Sequence, residues 1–259
     1  MINDIEVTTH ILKSYHEKLM ACRDLDVAIV GGGPSGLVAA SKLASDGFNT
    51  AVFEAKLAPG GGMWGGGMMF NEIVVQKEAV HILDEFGINY REREKGYFTA
   101  DSVESTSALI NSAVSSGARI FNLIKVVDVV LYERGVSGIV INWTPVEYMN
   151  LHVDPLTIGA KKVLDATGHP AELTNTLVKK AGVTLNTPSG RFEGEKPMNA
   201  EKGEKETVKN TSEVFSNFYV SGMAANGVYG GFRMGPIFGG MLLSGQKVYE
   251  MIKEALSTE

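Results

Sequence analysis

The stretch Asp26-Val-Ala-Ile-Val-Gly-Gly-Gly-Pro-Ser-Gly36 restricts the fold of this chain more than any other. Its apolar run, 27–30, reads as a short buried strand. The run enters a glycine turn and then a helix continued by Ala39, Ala40 and Leu43. Gly31, Gly33 and Gly36 fall at the G-x-G-x-x-G spacing. The first allows a sharp turn, the second lets the backbone approach a pyrophosphate, and the third lets the helix pack close to the strand. A helix start also offers unpaired N–H groups and a partial positive charge to a diphosphate, and Ser35 adds a hydroxyl there. Thr50–Glu54 reads as a second strand ending in an acid. Glu54 follows Gly36 at roughly the 20-residue distance of a ribose-binding carboxylate. The plainer reading is a glycine turn that merely packs a βαβ unit. Strand, helix and acid in succession favour dinucleotide binding.

The 259 residues suffice for one large α/β domain or two small ones. No internal repeat or linker stands out, so a single dinucleotide-binding domain over 1–259 is expected. Hydrophobic residues make up 44%, enough for a full core. Net charge is −6 with no basic stripe, which argues against nucleic acid as a partner. No apolar run reaches membrane-spanning length, so no membrane association is expected. Cys22 stands alone and has no internal disulfide partner, which fits a reducing cytoplasm. Asp4 and Glu6 leave no unbroken apolar run near the N-terminus, so no secretory signal is read there. Glycines gather at 31–36, 60–67 and 222–245, and close backbone approach to a ligand is one main use of glycine.

The expected fold class is α/β: a Rossmann-like parallel sheet of the glutathione-reductase (FAD/NAD-binding) type, with helices on both faces and a β-meander. Residues 3–20 read as an amphipathic helix capped by Asn3 or Asp4. Ile11, Leu12, Tyr15 and Leu19 share its apolar face, which would pack on the sheet or on a neighbouring subunit. Residues 58–70 hold six glycines around Met63 and Trp64. Linkers favour serine and polar residues, so this is read as an ordered loop around a ligand, with Gly61 and Gly62 near the nucleotide. Helices are expected at 78–86, from the cap Asp101 to about 116, at Glu172–Ala181 and at 240–256. Strands are expected at 119–123, at 161–167 and at Phe218–Val220, and a hairpin from 124–132 and 135–143. The backbone near Val126 would meet an adenine edge. Residues 144–157 read as irregular. The charged run 186–209 reads as a solvated mobile loop.

Taken over nearly its whole length, the sequence closely resembles the thiamine thiazole synthases of the archaeal, sulfide-dependent type. The matching blocks are the glycine fingerprint, Pro59-Gly-Gly-Gly-Met-Trp-Gly-Gly-Gly67, His152-Val-Asp-Pro155, Asp165-Ala-Thr-Gly-His169, and Gly222-Met-Ala-Ala-Asn-Gly with Arg233-Met-Gly-Pro-Ile-Phe-Gly-Gly240. The resemblance implies that NAD is a substrate. Nicotinamide is cleaved from it, the ribose opens and condenses with glycine, sulfur enters, and an ADP-thiazole carboxylate closes. It also implies ferrous iron, Fe(2+), and a homo-octamer. Asp154 and His169 take the metal positions, and Arg233 the position that grips the glycine carboxylate. Ser35, Glu54, Ala55, Gly62, Val126, His152, Val153, Asp154 and Met223 take NAD-contact positions. In eukaryotic members a cysteine donates its own sulfur at the position of His152. An imidazole has no sulfur to give, so the resemblance implies free sulfide and repeated turnover. His152 is open between NAD contact and proton transfer.

Spacing alone would make Asp154 an Asp-Pro turn residue and His169 a helix-entry histidine; the family match reverses that order. A carboxylate and an imidazole suit ferrous iron and leave positions open for substrate. An FAD-dependent oxidoreductase is the first alternative. Its weak point is Met223, where two-dinucleotide-binding flavoproteins commonly carry an aspartate for the ribityl chain. A sugar-phosphate (ribose 1,5-bisphosphate) isomerase and an NAD-binding sensor or scaffold are the others. Neither gives Asp154, His169 and Arg233 a shared purpose.

Overall fold

The structure, a computed structural model, describes residues 2–258. Helix α1 (Asp4–Met20) is capped by the Asn3 side chain, which accepts from the Ile5 amide at 2.8 Å. The glycine unit follows as strand β1 (Asp24–Val30), helix α2 (Pro34–Ser45) and strand β2 (Thr50–Glu54). All five residues of β2 are buried, as a parallel strand covered on both faces requires. Next come β3 (Glu72–Gln76), α3 (Val80–Glu85), β4 (Arg91–Glu92) and β5 (Tyr97–Asp101). Then α4 (Ser102–Ser115), capped by Asp101, leads to β6 (Arg119–Asn122), β7 (Ile124–Tyr132), β8 (Gly135–Trp143), α5 (Thr144–Tyr148) and β9 (Leu156–Asp165). The chain ends with α6 (Glu172–Ala181), β10 (Lys196–Met198), α7 (Ala200–Asn210), β11 (Ser212–Phe215), β12 (Phe218–Val220), α8 (Met223–Tyr229), β13 (Phe232–Arg233) and α9 (Gly239–Ser257).

The main sheet runs β11-β12-β9-β1-β2-β6. From β12 to β6 all pairs are parallel, and β11 closes one edge antiparallel. The hairpin β7–β8 joins through β8, antiparallel to the first half of β9. Leu37, Leu43, Leu109 and Leu242 bring α2, α4 and α9 together on one face of the sheet. Phe53, Phe121, Ile139, Leu177 and Phe218 join β7–β8 and α6 to it in a second cluster. The Phe53 and Phe121 rings stack at 5.4 Å. Register aligns Val30 with Phe53 and Asp165, and Asp165 with Val220, so four parallel strands end at one level. Ligands of such sheets bind beyond those carboxyl ends.

Several expectations need correction. The run 186–209 is not a plain solvated loop: it contains β10 and most of α7, whose Gly203, Glu204 and Thr207 are buried. The stretch 144–157 is not wholly irregular, because α5 opens it and β9 begins within it at Leu156. The small antiparallel sheet β3-β5-β4 and the helix α8 had no counterpart in the sequence reading. Helix α1 buries none of its residues fully. Its C-terminal half touches the sheet, with Lys18 donating to the Ile120 carbonyl at 2.6 Å and Tyr15 edge-on to Phe121. Ile5, Ile11 and Leu12 are exposed.

Candidate functional site

Beyond the strand ends lies a cavity of about 480 Å³, inside the range of about 300–1,000 Å³ usual for small-molecule sites. The glycine turn contributes Gly31, Gly33, Pro34 and Ser35, and the end of β2 contributes Phe53, Glu54, Ala55 and Lys56. Gly61 and Gly62, then Ile124, Lys125 and Val126, add further wall. The exit of β9 supplies Ala166, Thr167, Gly168, His169 and Pro170; Met223, Met234, Gly235, Phe238 and Met241 complete much of the lining.

The turn is built for close approach. Gly31 has φ +99°, and a Cβ there would sit 2.4 Å from the Ala166 carbonyl oxygen. Around Gly33 nothing lies within 4 Å of the equivalent position, so the space beside the backbone is open. No side chain caps α2, which leaves the amides of its first turn for an anion. Ser221 donates to the Ser35 oxygen at 3.1 Å, so the Ser35 hydrogen stays available. Buried Glu54 accepts from the Gly32 amide through Oε2 and from the Lys56 amide through Oε1, both at 2.8 Å. Each oxygen keeps a lone pair for a hydroxyl. The first half of the glycine-rich loop is ordered. Gly60 donates to the Gly32 carbonyl at 2.6 Å, Trp64 donates to the Pro59 carbonyl at 2.6 Å, and Met63 is buried.

His169 sits on a braced turn. The fully buried Asp165 carboxylate accepts four hydrogen bonds, two from Thr167 and two from Thr174. Thr167 Oγ1 in turn accepts the Glu172 amide at 2.8 Å, joining the turn to the start of α6. The His169 ring presents Nδ1 to both oxygens of Glu195, at 2.7 and 2.9 Å. Among the described residues Nε2 makes no hydrogen bond. An acidic group, a partnered imidazole and an uncapped helix start thus line one cavity.

Comparison with known proteins decides the family. The Thi4 family matches residues 8–238. The chain belongs to the Thi4 family. A thiamine thiazole synthase of Solidesulfovibrio magneticus is 57% identical over 93% of this chain and 94% of that protein. One from Methanothermobacter thermautotrophicus is 53% identical over 98% and 99%. The crystal structure of Thermovibrio ammonificans THI4 superposes with a TM-score of 0.97 at 53% identity, covering 99% of this chain and all of that one. This Thi4-family chain is therefore an enzyme of thiamine biosynthesis, of the thiamine thiazole synthase kind.

Not every candidate residue of this Thi4-family chain meets the cavity. His152, Val153 and Asp154 are exposed on the segment between α5 and β9 and do not line it. Arg233 is exposed in β13, although the next residue, Met234, reaches the wall. Gly36 lies inside α2, where a Cβ would stand 2.4 Å from the Gly31 carbonyl oxygen; its role is the helix–turn contact. Among the described residues no group of three or more His, Cys, Asp and Glu is placed to hold a metal ion. Within one copy, then, His169 is the candidate ligand at the cavity and Asp154 is not beside it. Sequence reasoning missed Glu195, Lys56 and the Lys125–Glu172 ion pair at 3.6 Å. No local signal marks them, since each gains meaning only from a partner distant in sequence or from the cavity.

Proposed function

We propose that this chain makes ADP-thiazole carboxylate from NAD, glycine and free sulfide with ferrous iron, turning over repeatedly. The observation that carries the reading is one cavity lined by both the helix start with Glu54 and the imidazole of His169. The first set suits the ADP part of NAD: amides of α2 for the diphosphate, Glu54 for ribose hydroxyls. His169 suits the metal, because Nδ1 is held by Glu195 and Nε2 is left for a ligand bond. Iron, when bound, would hold sulfide near the carbon it attacks and raise its effective concentration.

The lack of a cysteine among the cavity's lining residues supports free sulfide as the sulfur source. Cys22 is fully buried, and burial pushes its thiol up from the ordinary value, which disfavours the nucleophilic thiolate. His152 stands where eukaryotic relatives would carry a donor cysteine. We read His152, Val153 and Asp154 as serving the site of a neighbouring copy in an octamer. Their exposure off the cavity, with Tyr148, Met149 and Leu151 also exposed beside them, supports that reading. The bare face of α1 offers further contact area. Arg233 would take the glycine carboxylate through two parallel hydrogen bonds. No helix among the described residues is long and apolar enough to cross a membrane, and we place the enzyme in the cytoplasm.

The test is mass spectrometry of small molecules released on denaturation, followed by anaerobic incubation with NAD, glycine, sulfide and ferrous iron. Nicotinamide release and an adenylated thiazole carboxylate, both dependent on added sulfide, are expected. Bound FAD, or product made without sulfide at the expense of sulfur in the chain, would overturn the reading.

A further inference from the structure

We propose that Glu195 is a positioning residue for His169, which lines the cavity: its carboxylate holds Nδ1–H and so fixes the ring in the tautomer whose Nε2 carries the lone pair. The inference deepens the proposed function and rests on its assignment of His169 to ferrous iron. An ionised carboxylate accepts hydrogen bonds and donates none, so the proton between the two side chains belongs to Nδ1. Both carboxylate oxygens lie within hydrogen-bond range of it, at 2.7 and 2.9 Å. Such a two-oxygen grip restrains the ring plane as well as the tautomer, the arrangement that ligating histidines commonly use.

The grip is anchored, unlike an ordinary surface pair. The Glu195 side chain is 20% exposed and the His169 side chain 47%. Backbone bonds tie the chain on both sides of Glu195: Gly194 donates to the Gly227 carbonyl and Lys196 to the Gly231 carbonyl, each at 2.9 Å. Lys196 then enters β10, paired with β13. His169 rests on the same support, since a Cβ on Gly227 would stand 3.1 Å from its carbonyl oxygen. Imidazole and carboxylate are thus referred to α8 and the turn that follows it. Exposed ion pairs contribute little to stability, so stability alone does not account for so fixed a geometry at the wall of the cavity.

The experiment uses the full chain, stripped of metal by chelation and titrated without air with ferrous iron against a competing chelator. NAD affinity is measured in parallel as a check on folding. Glu195→Ala should weaken iron binding by about 10- to 100-fold and leave NAD affinity unchanged. Glu195→Gln should restore iron binding to within a few-fold, because its amide oxygen still accepts Nδ1–H. Should Glu195→Ala lose NAD binding and so fail to fold, Glu195→Asp, which keeps the charge and shortens the reach, takes its place with the same expected loss. Wild-type iron affinity in Glu195→Ala, or in Glu195→Asp where it stands in, with loss in His169→Ala, would overturn the positioning role and leave the metal assignment intact. Wild-type iron affinity in His169→Ala would overturn the metal assignment itself, and Glu195's role with it.

Discussion

Asp165 and Thr174 share a buried pair of hydrogen bonds: Oδ2 of the acid accepts the Thr174 amide at 2.8 Å and its hydroxyl at 2.7 Å. Thr167 makes the same pair to Oδ1, at 3.0 and 2.7 Å. One carboxylate therefore joins the end of β9, the turn bearing His169 and the first turns of α6. Hydrogen bonds to a charged group contribute about 1.5–3 kcal/mol each and are not additive, so Asp165→Ala should cost on the order of 4 kcal/mol. At about 2–4 °C per kcal/mol for a chain near this size, the melting temperature should fall by roughly 10 °C. Asp165→Asn should also destabilise, because its NH2 would face N–H and O–H donors. A thermal melt of Asp165→Ala within a degree or two of wild type would refute the keystone role.

Glu204 should make stability depend on pH. It is buried on α7, where Oε2 accepts the Gly240 amide of α9 at 2.6 Å. The Gln76 side chain of β3 faces it, yet Oε1 of both side chains lacks a hydrogen-bond partner. Burial, the largest cause, pushes the carboxyl from 4.5 to about 7. Between those values the folded state keeps a proton that the unfolded chain has released, so stability falls as pH rises through that window and levels off above it. The full effect is on the order of 3 kcal/mol. Glu204→Gln imitates the protonated acid. Its melting temperature should change less than that of wild type from pH 5 to 8 and exceed it at pH 8. Parallel pH profiles for the two proteins would rule this out.

The glycine unit was legible because its signals are local: turn spacing, an apolar run and an acid at fixed distance. The hairpin β7–β8 was legible for the same reason, with two apolar runs around Glu133 and Arg134. Helix α7 was hidden because its outward lysines and glutamates outnumber the inward residues. The buried ones, Gly203, Glu204 and Thr207, are not apolar residues that a periodicity would reveal. The strands β3 and β5 are five residues long and pair only with each other and β4, so no neighbouring motif flagged them. Glu195 looked like one more solvated charge. Its meaning comes from His169, 26 positions earlier, and only the folded chain brings them together.

Glu54 is the most direct test of the nucleotide half. Both of its oxygens are already held by backbone amides, so the carboxylate is oriented before any ligand arrives. Pre-set acceptors need little reordering when a ribose binds. Glu54→Ala should weaken ADP and NAD binding by about 10- to 100-fold, the worth of one or two hydrogen bonds to a charged group. Glu54→Gln should fall between, since its NH2 would oppose one of the two amides. Calorimetric titration with ADP alone removes any contribution from chemistry. Unchanged ADP affinity in Glu54→Ala would remove Glu54 from the site.

Mixing variants tests whether two copies build one site. Asp154 is exposed and His169 lines the cavity of its own chain. If both serve one centre, the Asp154 that serves a cavity comes from another copy. Asp154→Ala and His169→Ala chains should each be inactive when pure. Co-expressed in one cell, they should assemble hybrids in which some interfaces pair an intact His169 with a neighbour's intact Asp154. Those interfaces should regain part of the thiazole-forming activity and of the iron binding, whereas the same two preparations mixed without subunit exchange should not. A site contained within one chain predicts the opposite, because every chain in the hybrid carries one lesion and none can be complete. Activity of co-expressed protein no higher than that of the pure variants, with hybrids verified by differential tags, would place both side chains at one site in a single copy and require the 149–155 segment to fold back over its own cavity.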